Sequence, residues 1–121
     1  RMINLNETLM DKKSLEFAIR IINLYKYLCN DKREFIMSKQ LLRSGTSIGA
    51  NIREAKFAQS RPDFISKMSI SLKETNESLY WLELLNKTDY ITNEQYDSLY
   101  QDCLELLKLL HSTVTTSKSK L

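Results

Sequence analysis

The chain has 121 residues, of which 42% are hydrophobic and 27% charged, and its net charge is +3. This length suits one domain with a core of its own, so we expect residues 1–121 to form a single domain. Two glycines and one proline are too few for the many turns of an all-β domain. No apolar run approaches the roughly 18 residues of a membrane span, and no secretory signal is visible. The composition therefore predicts a few long helices in a cytoplasmic protein that has no membrane partner.

The first predicted helix runs from about Asp11 to Cys29 and follows an extended arm over residues 1–10. Two neighbouring apolar stripes follow helical spacing along it. One consists of Leu15, Ala18, Ile19, Ile22, Tyr25 and Cys29, and the other of Phe17, Ile21, Leu24 and Leu28. One stripe is enough to pack a helix into a bundle. The pair therefore predicts either deep burial or an additional contact with another subunit.

The second predicted helix spans about Ile36 to Gln59. Taken alone, its centre also fits a loop, because Gly45 and Gly49 each cost a helix about 1 kcal/mol relative to alanine. The two glycines, however, lie on one face, where small residues let a neighbouring helix approach closely. The apolar side also continues in phase across them, through Leu41, Leu42, Ile48, Ile52 and Ala55. We therefore predict one continuous helix.

Capping patterns mark the starts of the third and fourth predicted helices, at Ser60-Arg61-Pro62-Asp63 and Thr92-Asn93-Glu94-Gln95. Apolar residues then follow at helical spacing. They are Phe64, Met68, Leu72, Thr75, Leu79 and Leu82 in the third helix, and Tyr96, Leu99, Cys103, Leu106 and Leu110 in the fourth. Residues 113–121 are polar, and we expect them to fray. Four helices with short connections predict an all-α, antiparallel, up-down-up-down four-helix bundle.

Residues that could support catalysis or bind a metal are few and scattered. Cys29 and Cys103 lie within helical apolar patterns, which favours buried thiols over the alternative of a disulfide. The single histidine, His111, lacks both a nucleophile partner and the Glu-x-x-His spacing of di-iron bundles. No Gly-rich phosphate loop is present. We therefore expect no enzymatic activity, no catalytic residue, no metal site and no cofactor.

Charge is unevenly distributed along the chain. Residues 32–73 contain nine Lys or Arg and three acids, whereas residues 74–111 contain eight acids and two Lys. Three of these acids are expected on a solvated face: Glu74, Glu77 and Glu83. Phe57 and Phe64 are expected in the core, so the aromatic residues typical of single-strand binders are scarce in the basic part. Such asymmetry can bind anions, or it can pair one copy of the chain with another.

Six basic side chains of the second and third predicted helices are candidates for phosphate contacts. They are Arg43, Arg53, Lys56, Arg61, Lys67 and Lys73. Arginine binds phosphate through a planar fork and lysine as a point charge. Binding of this kind does not depend on base sequence and weakens steeply with salt. The alternative interpretation is that these are ordinary solvated helix residues.

Two segments resemble a bacterial family of four-helix bundles. They are residues 40–55, with the pattern Arg-Ser-x-x-Ser-Ile-x-x-Asn-Ile-x-Glu-Ala, and residues 60–67, followed by Leu72-Lys73-Glu74-Thr75 and Tyr80-Trp81-Leu82. The family comprises proteins encoded in 23S rRNA intervening sequences and the accessory variability determinant of diversity-generating retroelements, and the resemblance extends over residues 11–112. It implies an unbroken second helix and a homopentameric ring. For the retroelement members it also implies a basic surface that binds nucleic acid and a reverse transcriptase.

Two functional hypotheses follow from these patterns. In the first, the protein is a non-enzymatic, homo-oligomeric accessory protein that binds RNA or DNA through the six basic residues. In the second, it is a structural or adaptor bundle that binds a protein partner, such as a reverse transcriptase, without contacting nucleic acid. The wide apolar face of the first helix and the charge asymmetry favour the second hypothesis. The pentameric order rests on the resemblance alone.

Overall fold

Four helices form the bundle in the computed structural model, which describes residues 7–121. They are α1 (Leu9–Asn30), α2 (Met37–Ala55), α3 (Arg61–Lys87) and α4 (Asn93–Lys118). No strand occurs in this part of the chain. Each helix packs against the next, and α4 closes the bundle against α1 along a thinner seam. The prediction of an all-α, antiparallel, up-down-up-down four-helix bundle is confirmed.

The glycine-containing helix is unbroken, as predicted. A Cβ atom added at Gly45 would lie 2.9 Å from Cγ1 of Ile21 on α1, and one added at Gly49 would lie 3.1 Å from Oγ of Ser14. The two glycines therefore allow α1 and α2 to approach more closely than larger residues would permit. Because Gly49 meets the earlier part of α1 and Gly45 the later part, the two helices run in opposite directions.

The predicted caps of α3 and α4 are present. The Ser60 hydroxyl accepts a hydrogen bond from the backbone N–H of Asp63 at 3.2 Å. Thr92 and Gln95 form a complete capping box, in which each side chain accepts from the backbone N–H of the other residue. These bonds satisfy donors that the first turn of a helix leaves without partners.

Helix α1 begins earlier than predicted because it also has a capping box. The Thr8 hydroxyl accepts from the backbone N–H of Asp11 at 3.1 Å, and the Asp11 carboxylate accepts from the backbone N–H of Thr8 at 2.8 Å. The predicted arm over residues 1–10 is therefore wrong for Leu9 and Met10, which are helical. The rest of that prediction, for residues 1–6, lies outside the described residues.

The ends of α2 and α4 also differ from the predictions. Helix α2 stops at Ala55 because Phe57 and Ala58 donate to carbonyls three residues back, which tightens the last turn. Helix α4 continues to Lys118, so the expected fraying from residue 113 is wrong. Val114 and Ser117 are buried, and they continue the alternating steps of four and three residues from the buried Leu110.

Only one of the two apolar stripes of α1 lies in the core. The buried stripe is Phe17, Ile21, Leu24 and Leu28. On α4, the predicted seam of Leu99, Cys103, Leu106 and Leu110 is buried. Cys103 is buried as predicted, and its burial raises the pKa of its thiol to about 12. Cys29 is only partly buried, and both cysteines are free thiols.

Candidate nucleic-acid interface

Arg43 lies at the centre of an ion-pair cluster between α2 and α3. Its guanidinium donates from Nη1 to Glu74 Oε2 at 2.7 Å and from Nη2 to Glu74 Oε1 at 3.3 Å, and it also pairs with Glu77. Glu77 accepts a further bond from Trp81 Nε1 at 3.1 Å. The prediction that Glu74 is solvated is wrong, since this residue is buried. The fork of Arg43 is thus already occupied within the bundle.

Buried hydroxyl groups also lie on the same seam. Ser44 and Ser78 contact each other through their Oγ atoms at 2.9 Å, and the Ser71 hydroxyl donates to the Ile48 carbonyl at 2.8 Å. Within residues 7–121, no buried side-chain nitrogen or oxygen lacks a hydrogen-bond partner. The α2–α3 seam is therefore polar and fully satisfied, and it fixes the register of the two helices.

Lys56 and Lys67 also form ion pairs. Lys56 Nζ lies 2.5 Å from Oδ2 of the buried Asp11. Burial raises the pKa of the Asp11 carboxyl, but hydrogen bonds from Lys56 and Thr8 outweigh it, so this pKa lies below its ordinary value. Lys67 is 3.6 Å from the exposed Glu54. An exposed pair at that distance contributes at most about 1 kcal/mol and opens readily.

The other three candidates, Arg53, Arg61 and Lys73, have no ion-pair partner among the described residues. Arg53 and Lys73 are exposed, and Arg61 is partly exposed as the first residue of α3. An arginine or lysine in this state can bind a phosphate without breaking an existing ion pair.

The six candidates do not form one compact cluster. Arg53, Lys56 and Arg61 lie at the end of the bundle where α2 stops and α3 starts. Lys73 lies roughly 18 Å further along α3 than Arg61, at about 1.5 Å per residue. Arg43 lies about 15 Å from Arg53 along α2. The candidates are therefore spread along α2 and α3, and three of the six lie near one end of the bundle.

Some acids of residues 74–111 form ion pairs with basic residues of α1 in the same chain. Arg20 on α1 donates to Asp102 at 2.6 Å and to the Ser98 hydroxyl at 2.8 Å on α4, and Lys13 pairs with Glu105. These pairs bridge the thin α1–α4 seam. The charge asymmetry noted in the sequence is therefore partly neutralised within one chain.

The second apolar stripe of α1 faces away from the core. Leu15, Ile19 and Ile22 are 50%, 51% and 38% exposed. Leu15 also borders a shallow groove beside α2 that is lined by Gly49 and Ala50. Several large aliphatic side chains exposed together on one helix face are typical of a protein contact surface.

Phe57 was predicted in the core, and this is wrong because its side chain is 47% exposed. Helical spacing already carried a signal for this, since position 57 is out of phase with Ile48 and Ile52. The extension of α4 places Lys118, its last residue, at the same end of the bundle as Arg53, and Lys120 follows two residues later. The sequence interpretation missed them because it placed them in a frayed tail.

Over residues 7–121, no group of three or more His, Cys, Asp or Glu side chains could hold a metal ion. None of the four helices is both long enough and apolar enough to cross a membrane. The fold and site thus define a small antiparallel four-helix bundle whose candidate site consists of basic side chains dispersed along α2 and α3.

The chain belongs to the 23S rRNA-intervening sequence protein family, whose model matches residues 7–112. It is also similar to a crystal structure of a protein of unknown function from the S23 ribosomal protein family of Bacteroides thetaiotaomicron. The two sequences are 64% identical, the match covers 88% of this chain and 98% of that chain, and the TM-score is 0.87. No match was found among curated proteins. The family predicted from residues 40–55 and 60–67 is confirmed, and the relation to retroelement determinants stays a prediction.

Proposed function

We propose that this protein is a non-enzymatic, homo-oligomeric accessory protein that binds RNA or DNA through the basic surface of α2 and α3. The observation that supports this most directly is the set of three basic side chains without ion pairs in residues 7–121, Arg53, Arg61 and Lys73. Basic side chains without an ion-pair partner can bind phosphates, and their binding releases counterions from the nucleic acid. Such contacts position a nucleic acid without reading its sequence.

The remaining candidates have secondary roles in this proposal. Lys67 can leave its loose, exposed pair with Glu54 and reach a phosphate. Lys56 is closer to its partner Asp11, which is buried, so its charge contributes mainly through the local field. Arg43 is occupied by Glu74 and Glu77 and is assigned a structural role.

A salt titration of binding tests this function. We expect the triple variant Arg53→Ala, Arg61→Ala, Lys73→Ala to bind a labelled RNA more weakly than the wild type does at every salt concentration. Each lost phosphate contact should reduce the slope of log K against log salt by about 0.7 for a single strand or about 0.9 for a duplex. Lys108→Ala, which removes an exposed cation of α4, is the matched control and should leave the slope unchanged.

Two results would reject this function. One is the absence of any RNA or DNA binding by the wild type at low salt. The other is an equal change in slope for the triple variant and for a triple variant of exposed cations elsewhere, such as Lys12, Lys26 and Lys108. In that second case the binding would reflect net charge alone and not the α2–α3 surface.

The exposed stripe of α1 favours a second candidate, an adaptor bundle that binds a protein partner such as a reverse transcriptase. Leu15, Ile19 and Ile22 provide an apolar centre of the kind that protein partners cover. A pull-down from the native host with and without nuclease distinguishes the two functions. A protein partner that resists nuclease supports the adaptor, and a partner lost with nuclease supports nucleic-acid binding.

Self-association is part of the first proposal. A second copy of the chain would remove the three aliphatic side chains of the stripe from water, at about 25 cal/mol per Å² of buried apolar surface. The number five rests on the family resemblance, because an apolar stripe does not specify the rotation that closes a ring.

A further inference from the structure

We infer that Phe57 is a stacking platform for one unpaired base, so that the basic surface prefers single-stranded over double-stranded nucleic acid. This inference rests on the proposed function and narrows its ligand class. Its starting point is a large aromatic ring that is 47% exposed at the end of the bundle where the candidate cations are densest.

The backbone holds the ring in this exposed position. Phe57 donates to the Glu54 carbonyl at 3.0 Å, and the next residue, Ala58, donates to the Ala55 carbonyl at 3.1 Å. Ala55 and Ala58 are each 1% exposed, so both neighbours of this turn are packed into the bundle. The ring at position 57 therefore cannot reach the core without unwinding the turn.

Two basic side chains lie beside the ring. Phe57, Arg53 and Lys56 line one shallow depression at the surface. Arg53 lies in the last turn of α2 and Phe57 lies two residues beyond the end of that helix, and both side chains line this depression. A nucleotide whose base stacks on Phe57 would thus have its phosphate within reach of the Arg53 guanidinium. Stacking on an aromatic side chain next to a cation is the usual arrangement of single-strand binders.

Two acidic side chains of the depression limit the direction from which a phosphate can approach. Asp11 and Glu7 also line it. The charge of Asp11 is balanced by Lys56 at 2.5 Å, whereas Glu7 is exposed. Phosphates should therefore approach from the side of Arg53, and the base should turn towards the ring.

Other exposed aromatic rings already have partners. The guanidinium of Arg33 lies 5.1 Å from the centre of the Phe35 ring. Tyr80 makes an edge contact with Trp81, with 5.1 Å between ring centres. Phe57 makes no such ring contact with another described residue. The exposed part of its side chain can contact a base. Only an unpaired base can offer its own face, because a duplex keeps its bases stacked.

Fluorescence anisotropy with the full chain tests this inference. The probes are labelled oligouridine and oligothymidine of about 12 nucleotides, within the site sizes of single-strand binders, and a duplex of the same length. We expect the wild type to bind both single strands more tightly than the duplex. Phe57→Ala should weaken single-strand binding roughly five- to 150-fold, the loss typical of one stacked base, and change duplex binding by less than about twofold.

Three variants make the outcome specific. Phe35→Ala removes a ring of similar exposure at the opposite end of the bundle and should leave all affinities unchanged. Phe57→Trp should preserve single-strand binding because indole offers a larger face, whereas Phe57→Leu should lose it although leucine is also apolar.

Different failures have different meanings. If the wild type binds no probe, both the proposed function and this inference are wrong. If it binds, but Phe57→Ala weakens duplex and single strands equally or Phe57→Leu binds like the wild type, the function stands and the stacking inference is wrong. A change in the mass of Phe57→Ala by light scattering would place Phe57 in a subunit contact and also overturn the inference.

Discussion

At the scale of single residues, Glu34 shows how one carboxylate can start a helix. The N-cap residue of α2 is Ile36, whose apolar side chain makes no capping hydrogen bond to the helix. Glu34 replaces that cap, and its carboxylate accepts from the backbone N–H groups of Ile36, Met37 and Ser38 at 3.1, 3.1 and 2.7 Å. Burial raises the pKa of Glu34, but these donors outweigh it, so its pKa lies below the ordinary value of 4.5.

Glu34→Gln should lower the free energy of unfolding at pH 7 by about 1–3 kcal/mol, because charge-assisted bonds to three N–H groups are replaced by neutral ones. A carboxyl with a lowered folded-state pKa stabilises the protein above its unfolded-state pKa. The difference between variant and wild type should therefore shrink as the pH falls below about 4.5 and through the lower folded-state pKa. Urea unfolding of both proteins at pH 7 and pH 3 measures this difference in the free energy of unfolding. The control is Glu94→Gln, which changes an exposed acid in the first turn of α4. A difference in the free energy of unfolding between Glu34→Gln and the wild type that does not change with pH would contradict the assignment of Glu34 as the cap of α2.

Arg43 shows how a candidate ligand residue can be structural. Its fork meets both oxygens of Glu74, a geometry that lysine cannot reproduce. Arg43→Lys should therefore lower the free energy of unfolding by about 1 kcal/mol and leave RNA affinity within about twofold, since the charge stays. Thermal unfolding and anisotropy on the same samples measure both quantities. Weaker RNA binding with unchanged stability would indicate that Arg43 contacts the RNA and is not structural.

At the scale of helices, the α1–α2 contact depends on two glycines with different neighbours. Gly45 faces the branched Ile21, which is stiff in a helix, and Gly49 faces the small Ser14. Replacing either glycine with alanine favours the helix by about 1 kcal/mol. The outcome therefore depends on how far the neighbour on α1 can move.

Gly45→Ala should lower the free energy of unfolding by about 1 kcal/mol net, because overlap with Ile21 costs about 1–3 kcal/mol and exceeds the propensity gain. Gly49→Ala is the matched control and should raise it by up to about 1 kcal/mol, since the Ser14 hydroxyl can shift by a few tenths of an ångström and the propensity gain remains. Denaturant unfolding ranks the two variants. A Gly45→Ala protein at least as stable as Gly49→Ala would show that the close approach does not limit stability.

At the scale of the whole molecule, the exposed stripe of α1 makes a prediction about assembly. Ile19→Glu places a charge at the centre of this stripe, at a position already 51% exposed, so the fold should persist. The mass measured by light scattering should fall from a multiple of 14.2 kDa towards 14.2 kDa. Ile36→Glu, at a position 78% exposed outside the stripe, should leave the mass unchanged. A wild type that already measures 14.2 kDa would remove the oligomer from the proposal.

Much of the architecture is a local property of the chain. The α4 seam from Leu99 to Leu110 follows from its spacing, and the caps at Ser60 and Thr92 follow from side chains that can reach a backbone N–H three residues away. The missed cap at Thr8 has the same pattern, three residues before Asp11. The family motif in residues 40–55 contains Arg43 and both glycines, so its unusual composition is explained by contacts that α2 makes with its two neighbours.

The sequence by itself thus determined four helices, their antiparallel order and the unbroken α2, because each depends on spacing within one segment or on short connections. The family followed from the resemblance of residues 40–55 and 60–67. Only the tertiary structure decided which stripe of α1 is buried, that Glu74 lies inside the seam, and which cations lack ion pairs. Periodicity specifies the angles of side chains around one helix axis. It does not specify how far each helix is rotated and shifted against the next, and that rotation decides whether Arg43 meets a carboxylate or water.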